Sequence, residues 1–389
     1  MAKIHSELVR KAALGRIPLT GAFELSPLCN FNCGMCYVRE SAGTVKRRGG
    51  IRPLSFWLDA AEQARDAGCM LPLLTGGEPF LYPHLRVLME RMTRMGMQVS
   101  INTNASLIDE KAIDWLVQSP PARINVTLYG AGREGYGRQC GDPSAFERVL
   151  HACDLMTEAG IPFRFNCSLT AENEQDFDAM FELADRYGKA LKMAIYMVPP
   201  YRRTGVAGVN EGRLSPERAA YYEVLMHFRR DPPGRFRVLA ERAAEYREPT
   251  EEELQDAAAG EPREMGCLSG RCSFWLDWQG NLSGCGITDR PKFSLKEYTF
   301  AEAWKRTVEW TEDMRWSPYC ANCANKKLCF SCPAMVFNEI GSFDGRPAYI
   351  CEKVKYEAQW YRYFLEQLPE TDEVPTAEET EHDCPIDEF

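Results

Sequence analysis

The chain lacks a hydrophobic run long enough to span a bilayer, an apolar N-terminal core with a cleavage site, and any surplus of basic residues. A transmembrane helix needs about 20 consecutive apolar residues, so the sequence predicts no membrane span. The N-terminus Met1-Ala2-Lys3-Ile4-His5 has no feature of a secretory signal. That points to the cytoplasm and away from the oxidising compartment that a disulfide framework needs. With 46 basic against 56 acidic residues the formal net charge is −10, which disfavours nucleic acid as a substrate. At 389 residues and 45% hydrophobic, the chain is long enough to bury two cores.

What the chain has instead is cysteine, at 16 positions. Three fall in Cys29-Asn30-Phe31-Asn32-Cys33-Gly34-Met35-Cys36-Tyr37, a CxxxCxxC loop with an aromatic after the last thiol. A cubane iron–sulfur cluster takes four thiolates, so three on one short loop leave one iron open to a small ligand. The alternative is a three-cysteine zinc site completed by a histidine or water, and the only histidine near in sequence is His5. Downstream, Met70 to Thr75 reads as a short buried strand that ends in Gly76-Gly77-Glu78-Pro79. Two glycines let the backbone approach closely, and Glu78 offers an acceptor for an ammonium group. A strand followed by Gly-Gly is also an ordinary turn.

Strand-like runs at Gly21 to Ser26, Met70 to Thr75, Val99 to Thr103, Ile124 to Leu128, Phe163 to Leu169 and Leu191 to Met197 alternate with helical patterns. Examples are Leu85, Leu88, Met89, Met92 and Phe146, Val149, Leu150, Cys153. Six strands with five crossovers imply an α/β fold whose parallel sheet curls into a partial (β/α)6 barrel with an open side. It is shorter than the about 250 residues of a full eight-fold barrel. Asn102-Thr103-Asn104 and Asn125-Val126-Thr127-Leu128-Tyr129-Gly130 close two strands, on the face where barrel enzymes assemble their sites.

The CxxxCxxC loop and the Gly76 to Pro79 turn together resemble the radical S-adenosylmethionine (radical SAM) superfamily. The resemblance implies a 4Fe-4S cluster on Cys29, Cys33 and Cys36 with SAM at its open iron. It also implies cofactor contacts from Gly76, Gly77, Glu78, Pro79, Asn104, Thr127 and Arg138. Many relatives read V-S-L-D-G where this chain has Val126-Thr127-Leu128-Tyr129-Gly130; Thr127 keeps the hydroxyl and Tyr129 replaces an acid. Arg138, expected in the following loop, is read either as a carboxylate clamp or as a solvated arginine.

The C-terminal half carries Cys267-x4-Cys272-x7-Gly280-x4-Cys285, then Cys320-x2-Cys323-x5-Cys329-x2-Cys332 and Cys351. This array resembles the SPASM extension of peptide-modifying radical SAM enzymes, with a last internal spacing of two where three is commoner. The resemblance implies two auxiliary 4Fe-4S clusters, the first on Cys267, Cys272, Cys285 and Cys332 and the second on Cys320, Cys323, Cys329 and Cys351. A zinc ribbon on Cys320, Cys323, Cys329 and Cys332 is the rival reading. Of the other cysteines, Cys69, Cys153 and Cys167 read as core packing. Cys140 reads as a loop residue near the mouth and a candidate substrate contact, and Cys384 lies in the tail.

These segments divide the chain into a radical SAM barrel over 1–199, a bridging helical segment over 200–265, an auxiliary-cluster domain over 266–365 and an acidic tail over 366–389. In the bridge, Ser215-Pro216-Glu217 reads as a helix start with Ser215 as N-cap. Arg202 and Arg203 read as surface arginines or as contacts for an acidic substrate. The acidic runs Glu248 to Glu264 and Pro369 to Phe389 read as solvated linker or disorder.

The resemblance implies reductive cleavage of SAM and hydrogen abstraction from a peptide, giving a crosslink, epimerisation or backbone cleavage in ribosomal peptide maturation. The partners it implies are a peptide or protein substrate, an external one-electron reductant and, with 28 residues before Cys29, a separate leader-binding protein. The alternative is a protein or small-molecule dehydrogenase of the sulfatase-maturing kind. Those relatives place an Asp directly after the cysteine of GxxxxC, where this chain has Gly286. A non-catalytic iron–sulfur electron carrier is a third reading, but it has no need of the Gly76 to Pro79 turn or of an open iron. No catalytic base or hydrogen donor is identified from the sequence.

Overall fold

A computed structural model of the chain describes residues 2–264, 267–288 and 290–368. Six parallel strands fall on the six expected runs: β1 (Thr20–Glu24), β2 (Leu71–Thr75), β3 (Ser100–Thr103), β4 (Arg123–Leu128), β5 (Phe163–Ser168) and β6 (Leu191–Ala194). The helices Leu54–Asp66, Leu85–Arg94, Glu110–Gln118, Ala145–Glu158 and Phe177–Arg186 make the five crossovers. Helix Leu85–Arg94 buries Leu85, Leu88, Met89 and Met92, the stripe that a 3.6-residue period aligns on one face.

Alternation along the strands separates two faces of the sheet. In β5, Phe163 and Phe165 pack edge-on against Tyr187, and the Cys167 sulfur meets Met180 in a crossover helix. Arg164, Asn166 and Ser168 therefore face inward. The register carries this inner face to Lys192 in β6, Asn125 and Thr127 in β4, Asn102 in β3, Thr75 in β2 and Glu24 in β1. A polar interior lined from strand to strand is what the partial barrel offers a ligand.

The C-terminal half does not stand apart from this sheet. Beyond β7 (Arg263–Glu264), strand β8 (Ser273–Leu276) pairs in parallel with β1, and β9 (Asn281–Ser283) and β10 (Phe293–Ser294) continue outward. The order is β10-β9-β8-β1-β2-β3-β4-β5-β6. Its edges do not join, so the barrel is partial. β11 (Arg315–Trp316) pairs only with β7. The N-terminal helix Ala2–Gly15, which no sequence pattern singled out, packs Val9 and Ala12 against Leu19 and Cys272.

In the bridge, the Ser215 hydroxyl caps helix Pro216–Arg230 by accepting from the Arg218 amide. This helix and Pro233–Ala244 pack against Ala348–Leu365, joined by Tyr221 on Trp360 and Phe228 on Phe364. The acidic run expected as linker is helical over Glu251–Ala259. Thr250 and Glu253 close a capping box there, and three glutamates occupy the first turn, where the helix dipole favours negative charge. Pro369 to Phe389, with Cys384, lies outside the described residues. No described helix is long and apolar enough to cross a membrane.

Candidate functional site

The three-cysteine loop leaves the C-terminal end of β1, and the Gly76 to Pro79 turn leaves the adjacent end of β2. The two segments are tied together through backbone: Gly77 N–H donates to the Ser26 carbonyl at 2.7 Å and Glu78 N–H to the Leu28 carbonyl at 2.8 Å. The glycines are required by this approach. A Cβ on Gly76, which has φ +143°, would lie 2.4 Å from the Ser26 oxygen, and one on Gly77 2.2 Å from the Leu28 oxygen.

Glu78 is buried and organises the turn. Its carboxylate accepts from Phe80 N–H at 3.0 Å, the Thr103 hydroxyl at 2.7 Å and Asn104 N–H at 2.8 Å. Burial pushes its acid up to about 7, against the pull of those three donors. A carboxylate has roughly four acceptor sites, so one remains open. Asn104, also buried, is held in a turn through Ala105, whose φ of 60° is left-handed. Its amide reaches Asn30 at 2.9 Å and lies 3.9 Å from the Cys29 sulfur. Pro79 is buried at the start of the following turn.

Burial raises the Cys29 thiol to about 11 and the Cys33 thiol further. Cys33 is repelled by Cys36, Cys140 and Cys29, whereas the Tyr129 hydroxyl donates a hydrogen bond that opposes the rise. Tyr129, the residue that stands where relatives have an acid, also packs edge-on against Phe31 within the loop at 5.4 Å. Thr127 is half-buried on the inner face, beside Asn166.

Two expectations are corrected here. Cys140 is not on a loop: it ends helix Arg133–Cys140, is buried, and donates its thiol to the Tyr136 carbonyl while its own carbonyl accepts from Asn32 in the cysteine loop. Arg138 also lies on that helix. Its guanidinium donates to the Glu172 carbonyl at 2.9 Å and pairs with Asp176 at 3.7 Å. Cys69, Cys153 and Cys167 are buried in the main apolar core.

In the array, Cys267, Cys285 and Cys332 lie within electrostatic reach of one another. Burial lifts Cys285 to about 11 and Cys332 to about 12. Cys272 is buried in the small apolar cluster under the N-terminal helix. Cys320, Cys323, Cys329 and Cys351 line a single cavity of about 50 Å³. Backbone N–H groups point at sulfur from Phe31 to Cys29, Arg39 to Cys36, Ser269 to Cys267 and Met335 to Cys332, at 3.3 to 3.4 Å. Donors aimed at sulfur suit thiolates. Among the described residues no three His, Cys, Asp or Glu side chains converge as a single metal ion requires, whereas an iron–sulfur core takes one thiolate per iron. The donor chemistry fits such a core.

Sequence reading missed the buried ion pair between the two cysteine regions. Arg202, read as a surface arginine or a contact for an acidic substrate, has a side chain 9% exposed and grips Glu24, 0% exposed, at 2.5 Å and 2.6 Å. The Trp275 indole donates to Glu24 at 2.8 Å, and Arg202 also donates to the Gly286 carbonyl at 2.9 Å. The Arg202 guanidinium stands 5.7 Å from the Tyr37 ring centroid, so the pair touches the residue after Cys36 and the residue after Cys285. Burial pushes the Glu24 carboxyl up, and Arg202 opposes it. An acid inside an otherwise apolar strand was the available signal, because such a group needs a buried partner.

Residues 23–184 match the model of the Radical SAM superfamily. The AdoMet-dependent heme synthase of Methanosarcina barkeri is 25% identical over 349 residues, 85% of this chain and 95% of that protein. The PqqA peptide cyclase of Granulibacter bethesdensis is 27% identical over 195 residues, 50% of each. Among solved structures, Streptococcus suis SuiB bound to precursor peptide SuiA shares the fold with a TM-score of 0.63 at 17% identity, over 90% of this chain and 79% of that one. The cysteine loop, the Gly76 to Pro79 turn and all but the last of the six barrel strands thus lie within or at the edge of the segment, residues 23–184, that is similar to the Radical SAM superfamily.

Proposed function

We propose that the protein is a peptide-modifying radical SAM enzyme with a three-cluster complement. The observation that carries the reading is the backbone union of the cysteine loop with the Gly76 to Pro79 turn at neighbouring strand ends. Cys29, Cys33 and Cys36 would hold the first cluster. Gly76, Gly77, Glu78, Pro79, Asn104, Thr127 and Arg138 would hold SAM, with the open acceptor site of Glu78 suited to its ammonium group. When bound, cluster and SAM together supply one-electron cleavage of a carbon–sulfur bond and a carbon radical that removes a hydrogen atom from substrate. Cys267, Cys272, Cys285 and Cys332, and Cys320, Cys323, Cys329 and Cys351, would hold the auxiliary clusters on a domain spanning 266–365, with 1–199 as barrel and 200–265 as bridge.

A peptide reading is supported by the open sheet, whose edges do not join, and by the shared fold with a protein solved with its precursor peptide. An external one-electron reductant and a separate leader-binding protein complete the proposed set of partners. The sulfatase-type alternative loses support at Gly286. A Cβ there would lie 2.4 Å from the Trp275 indole, so the backbone leaves no room for the acid that such relatives carry.

A second reading is favoured by the alignment with the heme synthase, which runs nearly the whole length of both proteins, whereas the match to the peptide cyclase covers half. Arg123, Arg164 and Lys192 on the inner face would suit a substrate bearing carboxylates, as heme precursors do. Anaerobic incubation with SAM and reductant tests the shared chemistry by 5′-deoxyadenosine release. Mass spectrometry of a short peptide encoded beside the gene, against chromatography of a heme precursor, separates the two. No deoxyadenosine under reduction would sink both.

A further inference from the structure

The cavity lined by Cys320, Cys323, Cys329 and Cys351 is also lined by two cations, Lys326 and Arg346, and, among the described residues, by no carboxylate. Lys326 belongs to the short turn Lys326–Leu328 between two of the cysteines, and its ammonium sits 3.1 Å from the Trp316 ring centroid, which keeps it close to the thiols. Its charge is felt by Cys329, Cys320, Cys323 and Cys332. Arg346 lines the same cavity, and its charge acts on Cys351 and Cys323. The carboxylate that acts on Arg346 is Glu248, which is 58% exposed and bonded to Lys355 at 2.9 Å. Around the first set of cysteines the arrangement differs: Arg202, which acts on Cys285, is paired with the buried Glu24.

We propose that Lys326 and Arg346 raise the reduction potential of the cluster held by Cys320, Cys323, Cys329 and Cys351. The inference rests on the auxiliary-cluster reading given above. Reduction passes one electron from the reductant to the cluster core, with no bond broken and no proton moved, and so adds one negative charge at the cavity. The half-buried Lys326 and the more exposed Arg346 both stabilise that added charge, because net charge is a lever a protein has over such a potential, and the Coulomb term is larger at Lys326, where more water is excluded. Both are positioning residues: they line the cavity beside the thiols and leave the reacting carbon to other groups.

The test is an anaerobic redox titration of the reconstituted full chain followed by electron paramagnetic resonance. The second cluster's signal is assigned by its loss in Cys351→Ala. Lys326→Gln and Arg346→Gln remove charge while keeping a hydrogen-bond donor, and each is expected to shift that midpoint downward and leave the other midpoints in place. Lys326→Arg should keep the wild-type value. Should Lys326→Gln lose iron, Arg346→Gln, altered in a different segment, carries the same expectation. Unchanged midpoints in glutamine variants that retain their iron overturn the inference alone. A wild-type chain without a signal that Cys351→Ala removes overturns the auxiliary-cluster reading as well.

Discussion

Glu78 shows how one side chain organises the Gly76 to Pro79 turn. Its carboxylate collects three donors from β3, the residue after it and its own turn, yet burial still raises its acid from the usual 4.5 to about 7. Ionisation is therefore harder in the fold than in the unfolded chain, so the stabilisation present below about pH 4.5 is lost as the pH rises through about 7, to an extent on the order of 3 kcal/mol. Glu78→Gln should abolish that slope. It should also cost roughly 1–3 kcal/mol of its own, because an amide N–H₂ turned toward a backbone N–H leaves a buried donor unpaired. Urea unfolding of wild type and variant without SAM, at pH 5 and pH 8, measures both; parallel pH profiles would contradict the assignment. Gly286 is the complementary case. Gly286→Asp should destabilise through the Trp275 clash by about 1–3 kcal/mol and should not create a sulfatase-type activity, which a formylglycine assay on a sulfatase-motif peptide reports.

At the scale of elements, the Glu24–Arg202 pair fastens β1, the turn Tyr201–Thr204 and the loop after Cys285 into one unit. Removing one partner strands a charge in a nearly dry site. Arg202→Met should thus cost about 3–5 kcal/mol, and the double variant with Glu24→Gln should recover much of it; thermal unfolding of the four proteins gives the cycle. The six strands were legible because apolar runs bounded by turn residues and separated by helical periods admit few other assignments. Helix Glu251–Ala259 was misread since its acidic composition resembles a linker, although the Thr250–Glu253 capping box was written in the same residues. Arg202 was misread for a different reason: its sequence neighbours Pro199, Pro200 and Arg203 look like surface, and its partner is 178 residues away. Long-range pairing of that kind has no local signature. The contacts of Asn104 and Glu78 with the chain itself were equally invisible, whereas the spacing of the cysteines was plain.

For the whole molecule, the sheet decides how independent the parts are. β1 lies between β2 and β8, so the strand that delivers the three-cysteine loop is held on one side by the barrel and on the other by the C-terminal half. Phe23 of β1 stacks edge-on with Phe274 of β8 at 5.7 Å, and the Trp304 indole donates to the Arg16 carbonyl at 2.7 Å. The array is continuous with the barrel wall. Three cubane clusters would bring about 12 iron per chain, and substituting Ala for Cys29, Cys33 and Cys36 together should leave about eight, because the remaining thiols lie in other segments; iron analysis after anaerobic reconstitution decides it. A fragment ending at residue 265 should fare worse than its intact sequence motif suggests. It would expose the β1 edge, with its unpaired backbone groups and the apolar surface that Phe274 covers, and an exposed apolar edge strand promotes association. The expected outcome is a fragment that aggregates or elutes as higher oligomers on gel filtration and releases little 5′-deoxyadenosine, while the full chain unfolds in one transition. A monomeric fragment that cleaves SAM at the rate of the full chain would show that β8 is dispensable to the site, and that the barrel closes its own edge without the C-terminal half.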